Sequence, residues 1–68
     1  MLARYKWAER ATAKIRFRPD REAVAKELLE HIQDLLDHYG ETGMGEEAAE
    51  AAALAAMGDP DAIADELG

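Results

Sequence analysis

Four side chains that could do chemistry lie at helical spacing in the middle of the sequence: Glu27, His31, Asp34 and His38. Intervals of four, three and four residues place them along one face of a helix. Histidines beside carboxylates are typical of metal sites and of proton transfer. However, the two histidines would lie about 10 Å apart along the helix axis. Zinc–nitrogen bonds of about 2.1 Å cannot join both, so we expect no metal.

Acid–base catalysis also lacks its other parts. It would need a pocket, a nucleophile or water site, and donors for a developing oxyanion. The sequence contains no cysteine and no serine, and no glycine-rich phosphate loop precedes a helix. We therefore expect a chain that is not an enzyme and that binds no cofactor. His31 and Asp34 are expected to be structural, bonding to a neighbouring helix end or backbone at the border of the core.

The composition predicts helices around these residues. The 68 residues are enough for one small domain, and they include fifteen alanines. Alanine, leucine, glutamate and arginine favour helix, whereas valine, isoleucine and threonine together number six. No apolar run approaches the roughly 20 residues of a membrane span. We predict an all-α fold, a small three- to four-helix bundle with a long central second helix.

The first two helices carry the larger apolar residues. Helix 1 is predicted from about Leu2 to Ile15. Its apolar stripe comprises Tyr5, Ala8, Thr12 and Ile15, and Trp7 and Phe17 lie off it. Helix 2 is predicted from about Asp20 to Tyr39, with Pro19 in its first turn and Gly40 ending it. Leu28, Ile32 and Leu35 are expected to be buried.

The last two helices are separated by a short and distinctive junction. Helix 3 is predicted from Glu46 to Met57, with many alanines and with Leu54 and Met57 as its main anchors. Gly58 is placed to end it, Asp59 to cap the next helix, and Pro60 to start that helix. Helix 4 is then predicted from Pro60 to Leu67.

Charge is distributed unevenly along the chain. Residues 1–21 carry seven of the eight basic side chains and a net charge of +5, and residues 22–68 carry −12. The basic helix could pair with the acidic helices, or it could contact an anionic membrane surface or a partner. The acidic remainder argues against nucleic acid. The candidate contact residues are Arg4, Lys6, Trp7, Arg10, Lys14, Arg16, Phe17 and Arg18.

Four motifs in order resemble one known family. They are Ala13–Arg18 (AKIRFR), Glu27–Asp34 (ELLEHIQD), Gly43-Met44 with Glu46–Ala48, and Met57–Pro60 (MGDP). The sequence is similar to the permease prefix domain, also called the HAAS signalling domain, over nearly its whole length. Pro19 and the scarcity of bulky residues in 48–56 depart from that family's pattern. His31, Asp34, Gly58, Asp59 and Pro60 match its motifs.

The resemblance implies a non-enzymatic regulatory or protein-interaction domain of bacterial origin. It implies one helical domain over residues 1–68, a fragment of a longer protein whose transmembrane segments follow. The whole protein would be permease-like or similar to a cell-shape or division glycosyltransferase. The domain would then lie at the cytoplasmic face of the inner membrane and have a protein partner. The alternative is a free-standing small protein that binds a regulator or partner helix. A membrane-linked enzyme with its chemistry outside these residues is a third reading.

Overall fold

Residues 3–68 form a bundle of four helices. A computed structural model describes residues 3–68, in which the helices are α1 (Ala3–Ala11), α2 (Arg18–Glu41), α3 (Glu46–Met57) and α4 (Pro60–Leu67). No strand occurs in that range. The predicted all-α class and the long second helix are confirmed.

The helices pack in a definite order around α1. The first helix contacts the other three, α2 packs along α3, and α4 packs mainly on α1. Three hydrogen bonds join α1 and the turn after it to the α4 segment, each across 51 residues of sequence, so these segments run in the same direction. The bundle measures 39 × 20 × 19 Å. Its 24-residue second helix, about 36 Å long, spans the longest dimension.

Helix α1 is shorter than predicted and buries a different face. It ends at Ala11, and the Thr12 hydroxyl donates to the Ala8 carbonyl at 2.9 Å in the turn that follows. Ala8 and Thr12 are buried as predicted, whereas Tyr5 is 52% exposed. The buried face is completed by Trp7 and Ala11 instead. Leu2, the predicted start of this helix, lies outside the described residues.

Helix α2 is longer than predicted at both ends. It begins at Arg18 with Pro19 in its first turn, where the missing N–H is not needed. It continues through Gly40, so the predicted stop at that residue is wrong. The left-handed backbone occurs at Gly43, with φ of 95°, because the turn falls there. Ile32 is fully buried as predicted.

Leu28 and Leu35, the other two predicted core residues of α2, are only half-buried. Both pack against the buried cluster around Ile32, but each keeps part of its side chain in solvent. The reason is length, since a helix of 24 residues extends beyond the 9-residue α1 and the 8-residue α4. Its flanks are therefore incompletely covered.

Helix α3 has the predicted bounds, and it packs through alanine. Ala49 and Ala53 are buried, whereas the predicted anchors Leu54 and Met57 are half-buried. A face of methyl groups lets two backbones approach closely. Leu54 and Met57 then add apolar contact at the edge of the cluster.

The junction between α3 and α4 has the predicted form. Gly58 has φ of 100°, a left-handed value that glycine accepts without a Cβ clash. The Asp59 carboxylate accepts a hydrogen bond from the Asp61 N–H at 3.0 Å, and Pro60 occupies the first turn of α4. The three residues end one helix and begin the next.

Candidate interaction surface

The histidine–carboxylate stripe of α2 lies on the surface. His31 and Asp34 are both exposed, and neither side chain has a hydrogen-bond partner within residues 3–68. The expected bonds to a neighbouring helix end or backbone are therefore absent, and that prediction is wrong. The stripe lies beside the core-facing side of α2 but is not part of the core. In the same range, no three His, Asp or Glu side chains group closely enough to hold a metal ion.

The prediction that Trp7 contacts a membrane or a partner is wrong. Its side chain belongs to the core cluster and is 7% exposed. Its indole Nε1–H donates to the Gly58 carbonyl at 3.1 Å. Trp7 thus contacts the α3–α4 junction of its own chain, and it is not available to an outside surface.

Several basic residues of the N-terminal segment pair with acids of the same chain. Arg4 contacts Glu50 of α3 at 3.3 Å, and both side chains are largely buried. Arg10 contacts Asp61 at 2.6 Å. Lys14 pairs with Asp65, and this hydrogen bond raises the pKa of the Lys14 ammonium above its usual value. Internal pairing therefore accounts for three of the candidate contact residues.

A second part of the basic segment remains at the surface. Arg16 and Phe17 of the loop before α2 and Arg18, the first residue of α2, are exposed, and we call these three residues the basic tip. The Phe17 ring is 64% exposed, and the Arg18 guanidinium pairs with Glu22 of its own helix at 2.9 Å. Lys6 is also exposed. Two cations therefore flank an exposed aromatic ring at the basic tip.

Gly68 lies beside the basic tip. A surface depression at this end is lined by Ala13, Lys14, Arg16 and Gly68. A Cβ on Gly68 would lie 2.6 Å from the Lys14 Cβ, so the two residues are in close contact. The last described residue and the basic tip therefore share one end of the bundle.

Two apolar grooves follow the N-terminal half of α2. The first, the α1–α2 groove, has Tyr5, Ala25 and Leu29 at its centre. Its larger lobe has a volume of about 570 Å³. Glu22, Lys26, Glu30 and Gln33 line its edge together with Arg4 and Arg21, so its rim carries both signs of charge.

The second groove, the α2–α4 groove, lies on the other side of α2. Val24 and Leu28 of α2 face Ile63 and Leu67 of α4 across a volume of about 370 Å³. Leu67 is 43% exposed, and the other three are half-buried. Glu27 and His31 complete the lining, and no lysine or arginine of residues 3–68 lines this groove.

No family model, no curated protein and no solved structure matches the chain. Within residues 3–68, no helix combines the length and the hydropathy that a membrane span requires.

The grooves were not predicted, although the sequence contains the signal for them. The apolar positions of α2 cover a wide arc, from Val24 around to Leu29. Such an arc needs a neighbour on each side over its whole length. The short helices on either side of α2 cannot supply that cover, and Tyr5 and Leu67 remain exposed as a result.

Proposed function

We propose that this chain is a non-enzymatic interaction domain carried by a bacterial membrane protein. The observation that carries the interaction role is the pair of apolar grooves along the N-terminal half of α2. Contiguous apolar surface rimmed by polar residues is typical of protein-binding sites. Each groove is open along a helix, a shape that suits another helix or an extended segment.

The membrane connection is supported by two observations. The first is the resemblance of the motifs to the permease prefix domain, in which membrane spans follow the helical domain. The second is the place of Gly68 beside Lys14 and Arg16. A chain continuing from Gly68 would leave the bundle next to the basic tip. Cationic side chains near a membrane-spanning segment favour the cytoplasmic side, and they attract anionic headgroups.

The alternative is a free-standing small protein that binds a partner helix. The same grooves support it, because they need no membrane anchor to act. The codons after Gly68 discriminate between the two readings. Spans of about 20 apolar residues there favour the carried domain, and a stop codon favours the free-standing protein.

Photo-crosslinking in the source cell tests the interaction role directly. Benzoylphenylalanine would replace Tyr5 in the α1–α2 groove or Leu67 in the α2–α4 groove, in the full-length gene. Glu47, exposed on α3 and lining neither groove, serves as the control position. We expect a discrete adduct with a protein of one size from at least one groove and none from Glu47. Equal labelling at all three positions, or no adduct at any of them, would contradict the proposal.

A further inference from the structure

We infer that the α2–α4 groove binds a basic amphipathic helix, an inference that rests on the proposed interaction function. The floor of the groove has the spacing that such a ligand requires. Val24 and Leu28 lie one turn apart on α2, and Ile63 and Leu67 lie one turn apart on α4. Together they form two apolar rows. A helix with apolar side chains at positions i, i+3, i+4 and i+7 would fill the space between such rows.

The charge of the groove's rim determines which charge the ligand should carry. Glu27 and His31 line the groove, and no lysine or arginine does. Helical spacing continues the same border of α2 through Asp20 and Asp34, both of which are exposed. Arg10 and Lys14, which pair with α4, are already engaged by Asp61 and Asp65. Lysines or arginines flanking an apolar stripe would therefore meet unpaired carboxylates.

This rim distinguishes the groove from the α1–α2 groove. In the latter, Arg21 and Lys26 stand beside Glu22 and Glu30, so neither sign of ligand is clearly favoured. Complementary charge steers encounter and excludes ligands of the wrong sign more than it adds affinity. We therefore expect the α2–α4 groove to discriminate between a basic and an acidic helix of equal hydrophobicity.

A second copy of the chain does not supply the ligand. The basic helix is α1, and its apolar face, with Trp7 and Ala8, is buried in its own bundle. Its Arg4 and Arg10 side chains are engaged by Glu50 and Asp61. An anionic bilayer is equally unsuited, because the rim of this groove is acidic. The ligand is therefore a separate basic segment.

The inference accounts for the exposed stripe. Glu27, His31 and Asp34 lie on the surface without hydrogen-bond partners within residues 3–68. A helix seated on Val24 and Leu28 would pass directly along this border. The polar residues that the fold does not use would then be contacts for the ligand.

Titration of the ¹⁵N-labelled chain with a synthetic peptide tests the inference. The probe is an 18-residue helix of leucine and lysine with leucine at positions i, i+3, i+4 and i+7. The matched peptide carries glutamate in place of lysine. We expect saturable amide shift changes at Val24, Leu28, Ile63 and Leu67 with the lysine peptide, and binding at least tenfold weaker with the glutamate peptide, about 1.4 kcal/mol.

Two double variants of equal charge provide the control. Glu27→Lys with Asp34→Lys reverses the rim, and Glu41→Lys with Glu47→Lys makes the same change at two exposed positions that line neither groove. Both raise the net charge by four units, from −7 to −3. We expect the first to weaken binding of the lysine peptide about tenfold and the second less than threefold. Far-UV circular dichroism verifies that each variant is folded.

The possible outcomes separate this inference from the proposed function. Shift changes centred on Tyr5 and Ala25 would overturn the inference but leave an interaction domain that uses its other groove. Equal weakening by both double variants, or equal binding of both peptides, would overturn it because the rim would not be selective. Concentration-dependent shifts at Leu67 without peptide would show that a second copy occupies the groove. Absence of binding also overturns it, and the crosslinking experiment then decides the proposed function.

Discussion

The indole N–H of Trp7 donates a hydrogen bond to the carbonyl of Gly58 at 3.1 Å, across 51 residues of sequence. The ring fills the core between the helices, and its polar edge reaches the backbone of the α3–α4 junction. One side chain therefore links the first helix to the turn that positions the last.

Removing the indole should destabilise the bundle strongly. Trp7→Phe retains an aromatic ring but leaves the Gly58 carbonyl without this donor, a loss of about 1 kcal/mol plus the cost of lost volume. Trp7→Ala should cost about 3–5 kcal/mol, which is comparable with what a single core of this size supplies. Urea unfolding followed by far-UV circular dichroism measures both, since the variants remove the only tryptophan. Phe17→Ala, at an exposed ring, should change the free energy of unfolding by less than about 0.5 kcal/mol. Equal effects at Trp7 and Phe17 would contradict the assigned core.

Two glycines should respond to alanine with opposite signs. Gly58→Ala places a Cβ on a residue with φ of 100° and ψ of −165°, a region that is essentially confined to glycine, and should cost about 1–3 kcal/mol. The cost comes from the backbone, because no atom of residues 3–68 other than those of Gly58 and its two chain neighbours lies within 4 Å of the added Cβ. Gly40 lies inside α2 with equally open space, so Gly40→Ala should stabilise by about 0.5–1 kcal/mol. Melting temperatures that move in the same direction would contradict the two backbone assignments.

Ile32 should be the most sensitive aliphatic position of α2. It is fully buried, and Ile32→Ala should lower the free energy of unfolding by about 2–5 kcal/mol. Leu28→Ala should cost less, because Leu28 is half-buried in the α2–α4 groove. Denaturant midpoints at constant m-value provide the comparison. If Leu28 proves the costlier of the two, the core lies nearer α4 than the structure places it.

His31→Ala should leave stability nearly unchanged. The side chain is exposed and has no hydrogen-bond partner within residues 3–68, so we expect a change of less than about 0.5 kcal/mol. His31 is therefore not expected to have the structural role that the sequence predicted for it. We also expect excess chelator to leave the melting temperature unaltered, as the helical spacing of His31 and His38 predicts. A chelator-induced drop that zinc restores would instead establish a metal site.

The basic tip should bind anionic vesicles weakly at low salt. Each nearby cation contributes about 1 kcal/mol at an anionic surface, and salt screens it. Arg16→Gln with Phe17→Ala and Arg18→Gln should abolish co-sedimentation, because it removes both charges and the exposed ring. Lys6→Gln with Lys26→Gln removes the same charge elsewhere and should have a smaller effect. If the parent chain does not bind anionic vesicles at low salt, the basic tip does not contact an anionic membrane.

The sequence predicted those elements whose ends are determined locally. Gly58, Asp59 and Pro60 end α3 and begin α4 through their own backbone preferences, so these bounds were predictable. The end of α2 was not, because Gly40 and Gly43 can both end a helix. The turn itself, in which the Thr42 hydroxyl donates to the Tyr39 carbonyl, places the left-handed backbone at Gly43 and not at Gly40.

The face of α1 and the candidate site depended on distant partners. Ala8 and Thr12 follow the helical period, but the burial of Trp7 depends on a carbonyl 51 residues away. No local pattern contains that information. The candidate site was predictable in part, since Glu27 and His31 were singled out by type and spacing. Their role at a groove required the position of Leu67 on α4.

The pairing of α1 with the last helix has a consequence for how the chain folds. Trp7 with Gly58, Arg10 with Asp61, and Lys14 with Asp65 all close loops of 51 residues in a chain of 68. Helical bundles usually fold fast because their contacts are local, and contacts between distant residues slow the rate. During synthesis, Trp7 of α1 can bond to the Gly58 carbonyl only after residue 58 has been added to the chain. An α2–α3 hairpin would therefore form first, and docking of α1 and α4 together would be the step that completes the fold.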